Sequence, residues 1–131
     1  MLVQLAVVFF AYLFLDYLWM GFVVNKIYLE LIGPIARVED GKFNVFLPSA
    51  LVVYVVMTLA LWFFVLRNAS DVKTAAVNGL ILGFCLYAVY DFTNHAILKN
   101  YPLQFLAMDI LWGSVLNALV AAIAFLAVKS N

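Results

Sequence analysis

The chain has 131 residues, of which 69% are hydrophobic and 11% are charged, and its mean hydropathy is +1.13. A soluble domain carries about 45–50% apolar and about 25% charged residues, and a chain of this length has no core large enough to hide the excess. The composition therefore excludes a soluble globular protein. The formal net charge is zero and no basic run occurs, so we expect no nucleic-acid partner. The length predicts a single domain, residues 1–131.

Four apolar segments are long enough to cross a membrane, which takes about 20 residues of helix. The expected spans are residues 2–24, 43–66, 74–98 and 103–128, and none of them contains a lysine or arginine. The first span lacks a basic start and a small-residue cleavage site, so we interpret it as retained and not as a signal peptide. The short connections at 67–73 and 99–102 make the helices that they join antiparallel neighbours. The sequence predicts an all-α, integral membrane four-helix bundle.

The connection between the first two spans, residues 25–42, is longer and has a pattern of its own. Apolar residues from Tyr28 to Ile35 recur at roughly helical spacing, and the pair Gly33-Pro34 interrupts them. This pattern predicts a short interfacial half-helix that breaks at the glycine. The segment is either an amphipathic connector or a lid over a site.

Three aspartates lie within the spans: Asp16 in the first, Asp91 in the third and Asp109 in the fourth. An ionised aspartate at the centre of a membrane helix costs about 2.5–3.5 kcal/mol on insertion scales. At about 1.5 Å per residue, all three lie about 10–14 Å inside the same membrane face. Three acids on three helices at one depth predict one polar pocket, formed by helices one, three and four, with helix two facing lipid or bracing the others.

Helical spacing identifies the neighbours of these acids. On the third span, Asp91 belongs to a stripe of mostly small and polar residues that runs at intervals of four from Ala75 to His95, and the Gly79-x-x-x-Gly83 part of this stripe is interpreted as helix packing. On the fourth span, Asn117 shares a stripe with Asp109. The candidates for the pocket or for ligand binding are Asp16, Asp91, Asn94, Asp109, Tyr87, His95, Trp19, Trp112 and Asn117.

Two tryptophans stand in the same short string, Asp-x-Leu-Trp, at Asp16–Trp19 and at Asp109–Trp112. Anchoring at the membrane interface is the usual role of such residues and suits Trp19. Trp112 lies ten residues after Pro102, too deep for an interfacial belt. We expect Trp112 to pack inside the bundle or to form a wall of the pocket.

The spans offer His95 as the only base near the acids. Three states remain open: protonated acids that donate hydrogen bonds, a carboxylate–His95 pair, or carboxylates that bind a cation or a cationic substrate. The alternative to a functional site is a network of neutral hydrogen bonds between helices. No dense ligand motif such as H-x-x-x-H is present, so no metal site is predicted.

The chain resembles the DUF2177 family of small membrane proteins over nearly its whole length. The resemblance is carried by Tyr90-Asp91-Phe92-Thr93-Asn94-His95-Ala96-Ile97-Leu98, by Tyr101-Pro102-Leu103, by Asp109-x-x-Trp112-Gly113, and by Asp16-x-x-Trp19-x-Gly21 with Tyr28 and Gly33. It implies a four-helix protein of the bacterial inner membrane and points to the same polar residues. It implies no reaction and no cofactor.

Three functional hypotheses follow. The first is a protein that binds or processes a lipid or small apolar molecule, with an intramembrane site built from the acids; a nucleophile or cofactor motif that would make it an enzyme is not recognisable. The second is a proton- or cation-coupled carrier, which with four short spans would be a homo-oligomer. The third is an accessory subunit whose acids only lock the bundle together. In all three, membrane lipids are the expected partners.

Overall fold

The computed structural model describes residues 1–129, so the expected domain of residues 1–131 ends two residues beyond the described part. Five helices and one small hairpin make up the described residues. They are α1 (Leu2–Leu18), α2 (Asn25–Ile32), β1 (Val38–Glu39), β2 (Lys42–Phe43), α3 (Leu47–Leu61), α4 (Val72–Ile97) and α5 (Leu103–Lys129). Both α1 and α3 continue as a wider π-helical turn, at Trp19–Val23 and Trp62–Leu66.

Four stretches are long and apolar enough to cross a membrane: Leu2–Val23, Leu47–Leu66, Val72–Ile97 and Leu103–Val128. The predicted all-α membrane bundle is therefore confirmed. Helix direction alternates, so the first and third connections share one membrane face, called here the connector side. The N-terminus and the turn before α4 share the opposite face, called the terminal side.

The predicted second span begins four residues too early, because residues 42 and 43 belong to the hairpin. Glu39 pairs with Lys42, and the two residues between them, Asp40 and Gly41, both have positive φ (50° and 72°). This is the backbone of a tight two-residue hairpin turn, for which Asp-Gly is a preferred sequence. The helix proper then starts at Leu47, with Pro48 in its first turn, where a missing N–H costs least.

The predicted half-helix in the first connection is confirmed as α2, which ends at Gly33. Its Tyr28 side chain is buried and packs edge-to-face on the ring of Phe105 at the start of α5. With Val24, Tyr101 and Leu106 these residues form an apolar cluster, called here the connector plug.

The closest helix pair is α4 with α5. A Cβ on Gly79 would collide with the carbonyl oxygen of Asn117, and a Cβ on Gly83 with that of Gly113. Small residues thus let two backbones approach closely, which is how membrane helices gain packing energy without a hydrophobic driving force. The glycine stripe of α4 has the packing role that its spacing predicts.

The second and third spans are the loosest neighbours. The turn Trp62–Leu66 packs on α4 at the terminal side, whereas α3 itself packs mainly on α1. The two helices therefore diverge towards the connector side. A core cluster that includes Tyr12, Leu61 and Val120 fills the terminal half of the bundle.

Candidate functional site

The three intramembrane aspartates lie at similar depths near the connector side. Asp16 is seven residues from the end of its span, and Asp91 and Asp109 are each six residues from the nearest end. At about 1.5 Å per residue, all three carboxyl groups lie about 9–11 Å from the helix ends. Tyr28 of α2 lies near enough to interact electrostatically with all three.

Asp91 and Asp109 form a carboxyl pair between α4 and α5. Asp91 is fully buried, and its Oδ1 accepts a hydrogen bond of 2.6 Å from the hydroxyl of Tyr101. Its Oδ2 is buried and has no hydrogen-bond partner within residues 1–129 when both acids are ionised. If one of the two acids carries a proton, a hydrogen bond links the two side chains. Two ionised carboxylates in contact repel each other, so the pair is stable with a shared proton or with a cation beside it.

Asp16 is held differently, because both of its oxygens accept hydrogen bonds from neighbouring helices. Trp112 Nε1 donates to Oδ1 over 2.8 Å, and the hydroxyl of Tyr54 donates to Oδ2 over 2.8 Å. These bonds join α1 to α5 and to α3. Asp16 also interacts electrostatically with Asp109. It therefore belongs to the acidic cluster as a fully partnered member.

The two tryptophans of the repeated string meet in the bundle. The rings of Trp19 and Trp112 are parallel, with an interplanar angle of 4° and centroids 4.4 Å apart. Trp19 Nε1 donates to the hydroxyl of Tyr28 over 3.3 Å. The expectation that Trp112 packs inside the bundle agrees with this geometry. Trp19 stacks on the Trp112 ring and donates a hydrogen bond to α2, so it makes contacts inside the protein in addition to any role at the membrane interface.

Asn117 lies on the terminal side of the acids and ties α1 to α5. It is fully buried, accepts a hydrogen bond from the hydroxyl of Tyr12, and donates to the carbonyl of Gly113 over 2.7 Å. Its Oδ1 is therefore bonded to α1 and its Nδ2 to the backbone of its own helix, so both polar atoms are occupied.

The remaining candidates on α4 separate from one another. Tyr87 is partly buried, packs against Gly113, and interacts electrostatically with Asp16 and Asp109. Asn94 interacts with the hydroxyls of Tyr90 and Tyr101 at the edge of the carboxyl pair. His95 is exposed in the last turn of α4, outside the cluster. His95 is exposed whereas the nearest aspartate on its stripe, Asp91, is fully buried, and the carboxylate–His95 pair considered from the sequence stays a prediction.

A groove of about 470 Å³ opens where α3 and α4 diverge. Its walls are apolar except for two tyrosines and one acid. The lining residues are Val52, Val53, Val56, Met57, Leu86, Tyr87, Tyr90 and Asp109. Asp109, one half of the carboxyl pair, is therefore reached from the groove, whose α3 wall includes the exposed residues Val52, Val53 and Val56.

The role expected for the second span needs a correction. We predicted that helices one, three and four enclose the polar pocket while helix two mainly faces lipid or braces the others. Instead, α3 supplies one wall of the groove and donates a hydrogen bond to Asp16 through Tyr54. Tyr54 and Tyr101 were not among the site candidates, although each donates to an intramembrane aspartate. The sequence signal that could have identified Tyr54 is a phenol hydroxyl within an otherwise largely apolar span, where it needs a hydrogen-bond partner.

No group of three or more His, Cys, Asp or Glu side chains within the described residues has an arrangement that would hold a metal ion. The polar groups that interact with the three acids are phenols, an indole on Asp16, and the amide of Asn94 at the edge of the carboxyl pair. The cluster is therefore suited to hydrogen bonding and to charge interactions, with acceptors in excess on Asp91 and Asp109.

Fold and site together define a polytopic helical membrane protein with an acidic cluster inside the bundle. A family model described as a predicted membrane protein, DUF2177, matches residues 1–126. The chain belongs to this family, as its Asp-x-x-Trp and Tyr-Asp-Phe-Thr-Asn strings suggested. No curated protein and no solved structure matches the chain.

Proposed function

We propose that this protein binds a lipid or another amphipathic small molecule in the groove between α3 and α4. The observation that carries the proposal is the lining of the groove, which is aliphatic along Val52, Val56 and Leu86 and acidic at Asp109. A binding site for a small molecule is typically apolar with a few placed polar groups. An apolar chain would lie along the aliphatic wall, and a polar group would reach Asp109.

The access route favours a membrane-borne ligand over a solute from water. The connector plug lies between the acids and one aqueous face, with Tyr28 and Val24 almost completely buried. On the terminal side, Tyr12, Leu116 and Val120 are fully buried. The groove opens sideways between these two layers. A molecule dissolved in the bilayer reaches Asp109 without crossing either layer.

The same two layers argue against the proton- or cation-coupled carrier. A carrier needs alternate access to the acids from both faces, and transporter sites are typically formed by discontinuous helices near the bilayer midplane. Here α4 and α5 are continuous through the site. The accessory-subunit hypothesis is supported by Asp16 alone, whose two oxygens are both used between helices. We propose that the protein acts in the bacterial inner membrane, which is the location that the family resemblance implies, and that membrane lipids are its partners.

Native mass spectrometry after extraction in mild detergent tests the proposal. Val52→Trp places an indole in the groove, and Val55→Trp makes the same change on the same helix at a residue that does not line it; both valines are exposed to lipid (62% and 48%). We expect a bound amphiphile on the native protein and on Val55→Trp, and its loss from Val52→Trp. Equal occupancy of the two variants would contradict the proposal.

A further inference from the structure

The groove has a polar end whose chemistry narrows the class of ligand. Asp91 is fully buried and does not itself line the groove, and its Oδ2 has no hydrogen-bond partner in the described part of the chain when both acids are ionised. It faces Asp109, which lines the groove. A buried acceptor without a donor is costly, and an unpaired buried carboxylate costs more. When both acids are ionised, the pair therefore has one donor, the Tyr101 hydroxyl, and lacks a neighbouring positive charge.

Positive charge at this end of the bundle lies in the connections, at Lys26, Arg37, Lys42 and Lys99, and none of it lies within the spans beside the acids. Within the observed spans the only lysine or arginine is Lys73, in the first turn of α4 on the terminal side. His95 is exposed outside the cluster. Asp16 adds a third acid whose hydrogen bonds come from neutral donors, Tyr54 and Trp112. A phosphate or carboxylate head group would be repelled, whereas a cationic one would be attracted.

The aromatic residues around the pair suit the same head group. Tyr87 and Tyr90 line the groove beside Asp109. A ring face attracts an ammonium group, and the attraction increases when the contact is removed from water. A protonated amine combines this attraction with N–H donors for carboxylate oxygens, and such charge-assisted hydrogen bonds are roughly twice as strong as neutral ones.

On these grounds, and resting on the proposed function of the groove, we infer that the Asp91–Asp109 pair accepts the protonated amine of a single-chain or lipid-like amphiphile. The amine donates hydrogen bonds to the Asp109 carboxylate, which lines the groove, and its positive charge offsets the repulsion between Asp109 and the buried Asp91. The apolar chain lies along the α3 wall. Asp16 stays bonded to Tyr54 and Trp112 and takes no part in direct contact.

The test compares four probes that share one chain: dodecylamine, dodecanol, dodecanoate and dodecyltrimethylammonium. Binding is measured below micellar concentrations, by displacement from the purified protein in lipid nanodiscs. The native protein is compared with Asp109→Asn and Asp91→Asn, and with Glu39→Gln, which removes an acid of the exposed hairpin. Val52→Trp reports whether each probe occupies the groove. A thermal unfolding curve checks the fold of each variant.

We expect dodecylamine to bind the native protein at least about tenfold more tightly than dodecanol, a factor that corresponds to about 1.4 kcal/mol. Dodecanoate should bind more weakly than either. Asp109→Asn should remove the preference for the amine, and Glu39→Gln should keep it. The comparison of amine and alcohol on the native protein remains decisive if Asp91→Asn does not fold.

Equal affinity for amine and alcohol, with both blocked by Val52→Trp, would overturn the amine inference and leave the groove as a binding site. Equal affinity for the amine and the quaternary ammonium would also overturn it, because the quaternary group has charge without N–H donors. Binding that Val52→Trp does not affect would instead contradict the proposed function itself.

Discussion

The intramembrane aspartates have unequal partners. Asp16 accepts hydrogen bonds from Tyr54 and Trp112, one on each oxygen. Asp109 faces another acid, and Asp91 receives one donor, the Tyr101 hydroxyl. Hydrogen bonds to charged groups stabilise a fold, whereas contact between two carboxylates opposes it unless a proton or a cation separates them. The acids should therefore differ when each is changed to its amide.

Asp16→Asn replaces one of the two acceptor oxygens with an NH₂ group, so one donor, from Tyr54 or Trp112, then faces another donor. We expect this variant to lose about 1.5–3 kcal/mol of stability, the contribution of a hydrogen bond to a charged group. Asp109→Asn removes repulsion and should leave the bundle as stable as the native protein or more so. Thermal unfolding of the two variants in the same mild detergent measures the difference. Equal large losses would mean that the acids act as one network that locks the bundle.

The sequence identified the aspartates that cluster inside the membrane, but it did not identify the residues that donate hydrogen bonds to them. The depths of Asp16, Asp91 and Asp109 follow from helix rise alone, so a cluster could be expected. The role of Tyr54 could not, because the second span is apolar on all sides. In a membrane, lipid-facing and helix-facing surfaces are both apolar, so hydrophobic periodicity does not show which way a side chain points.

At the scale of helices, the contact between α4 and α5 depends on missing side chains. A Cβ on Gly83 would meet the backbone oxygen of Gly113, which has no flexible end to move aside. We expect Gly83→Ala to destabilise the bundle by about 1–3 kcal/mol, the usual cost of overpacking. Gly21→Ala is the control, because nothing lies within 4 Å of its added Cβ. A chemical denaturation series on both variants would contradict this packing if Gly83→Ala were as stable as the control.

The start of α4 supplies a prediction that depends on pH. Asp71 caps the helix: its carboxylate accepts from the backbone N–H and the hydroxyl of Thr74 and from the hydroxyl of Ser70. These bonds, the Thr74 backbone N–H first, lower the pKa of Asp71 to about 2. A group with a depressed pKa stabilises the fold fully above its unfolded value of about 3.9 and loses this contribution as the pH falls through its folded value.

Asp71→Ala should therefore melt at a lower temperature than the native protein at pH 7. The difference should shrink between about pH 4 and pH 2, where the native carboxylate takes up its proton. Asp71→Asn, which keeps a capping side chain, should recover most of the loss at pH 7 without this pH dependence. A difference in melting temperature that stays constant down to pH 2 would argue against the cap.

The elements that the sequence predicted are those with a clear pattern of residues within their own segment. The half-helix α2 was visible because its polar and apolar residues alternate at helical spacing and Gly33-Pro34 ends it. The hairpin was missed although Asp40-Gly41 is a strong turn signal, because its strands have only two residues each and no alternation to detect. The divergence of α3 from α4 has no local signal at all, since it depends on how whole helices pack.

At the scale of the whole molecule, the positions of the connector plug and the terminal core cluster determine which environment the acids can contact. In the proposed function, the connector plug and the terminal core isolate them from the two aqueous faces, and the groove joins them to the membrane. The spans themselves could be predicted to within a few residues, since their length and hydropathy are set by the bilayer. The opening between α3 and α4 is what turns a set of membrane helices into a candidate binding site.

The measurement that tests this account most directly is photolabelling in native membranes with a fatty amine that carries a diazirine along its chain. Peptide mapping by mass spectrometry then locates the modified residues. We predict labels on Asp109 and on the groove residues Tyr87 and Met57, and we predict that Val52→Trp removes them while Val55→Trp does not. Labels confined to outward-facing residues such as Phe10 and Val89, unchanged by Val52→Trp, would contradict the groove as the binding site.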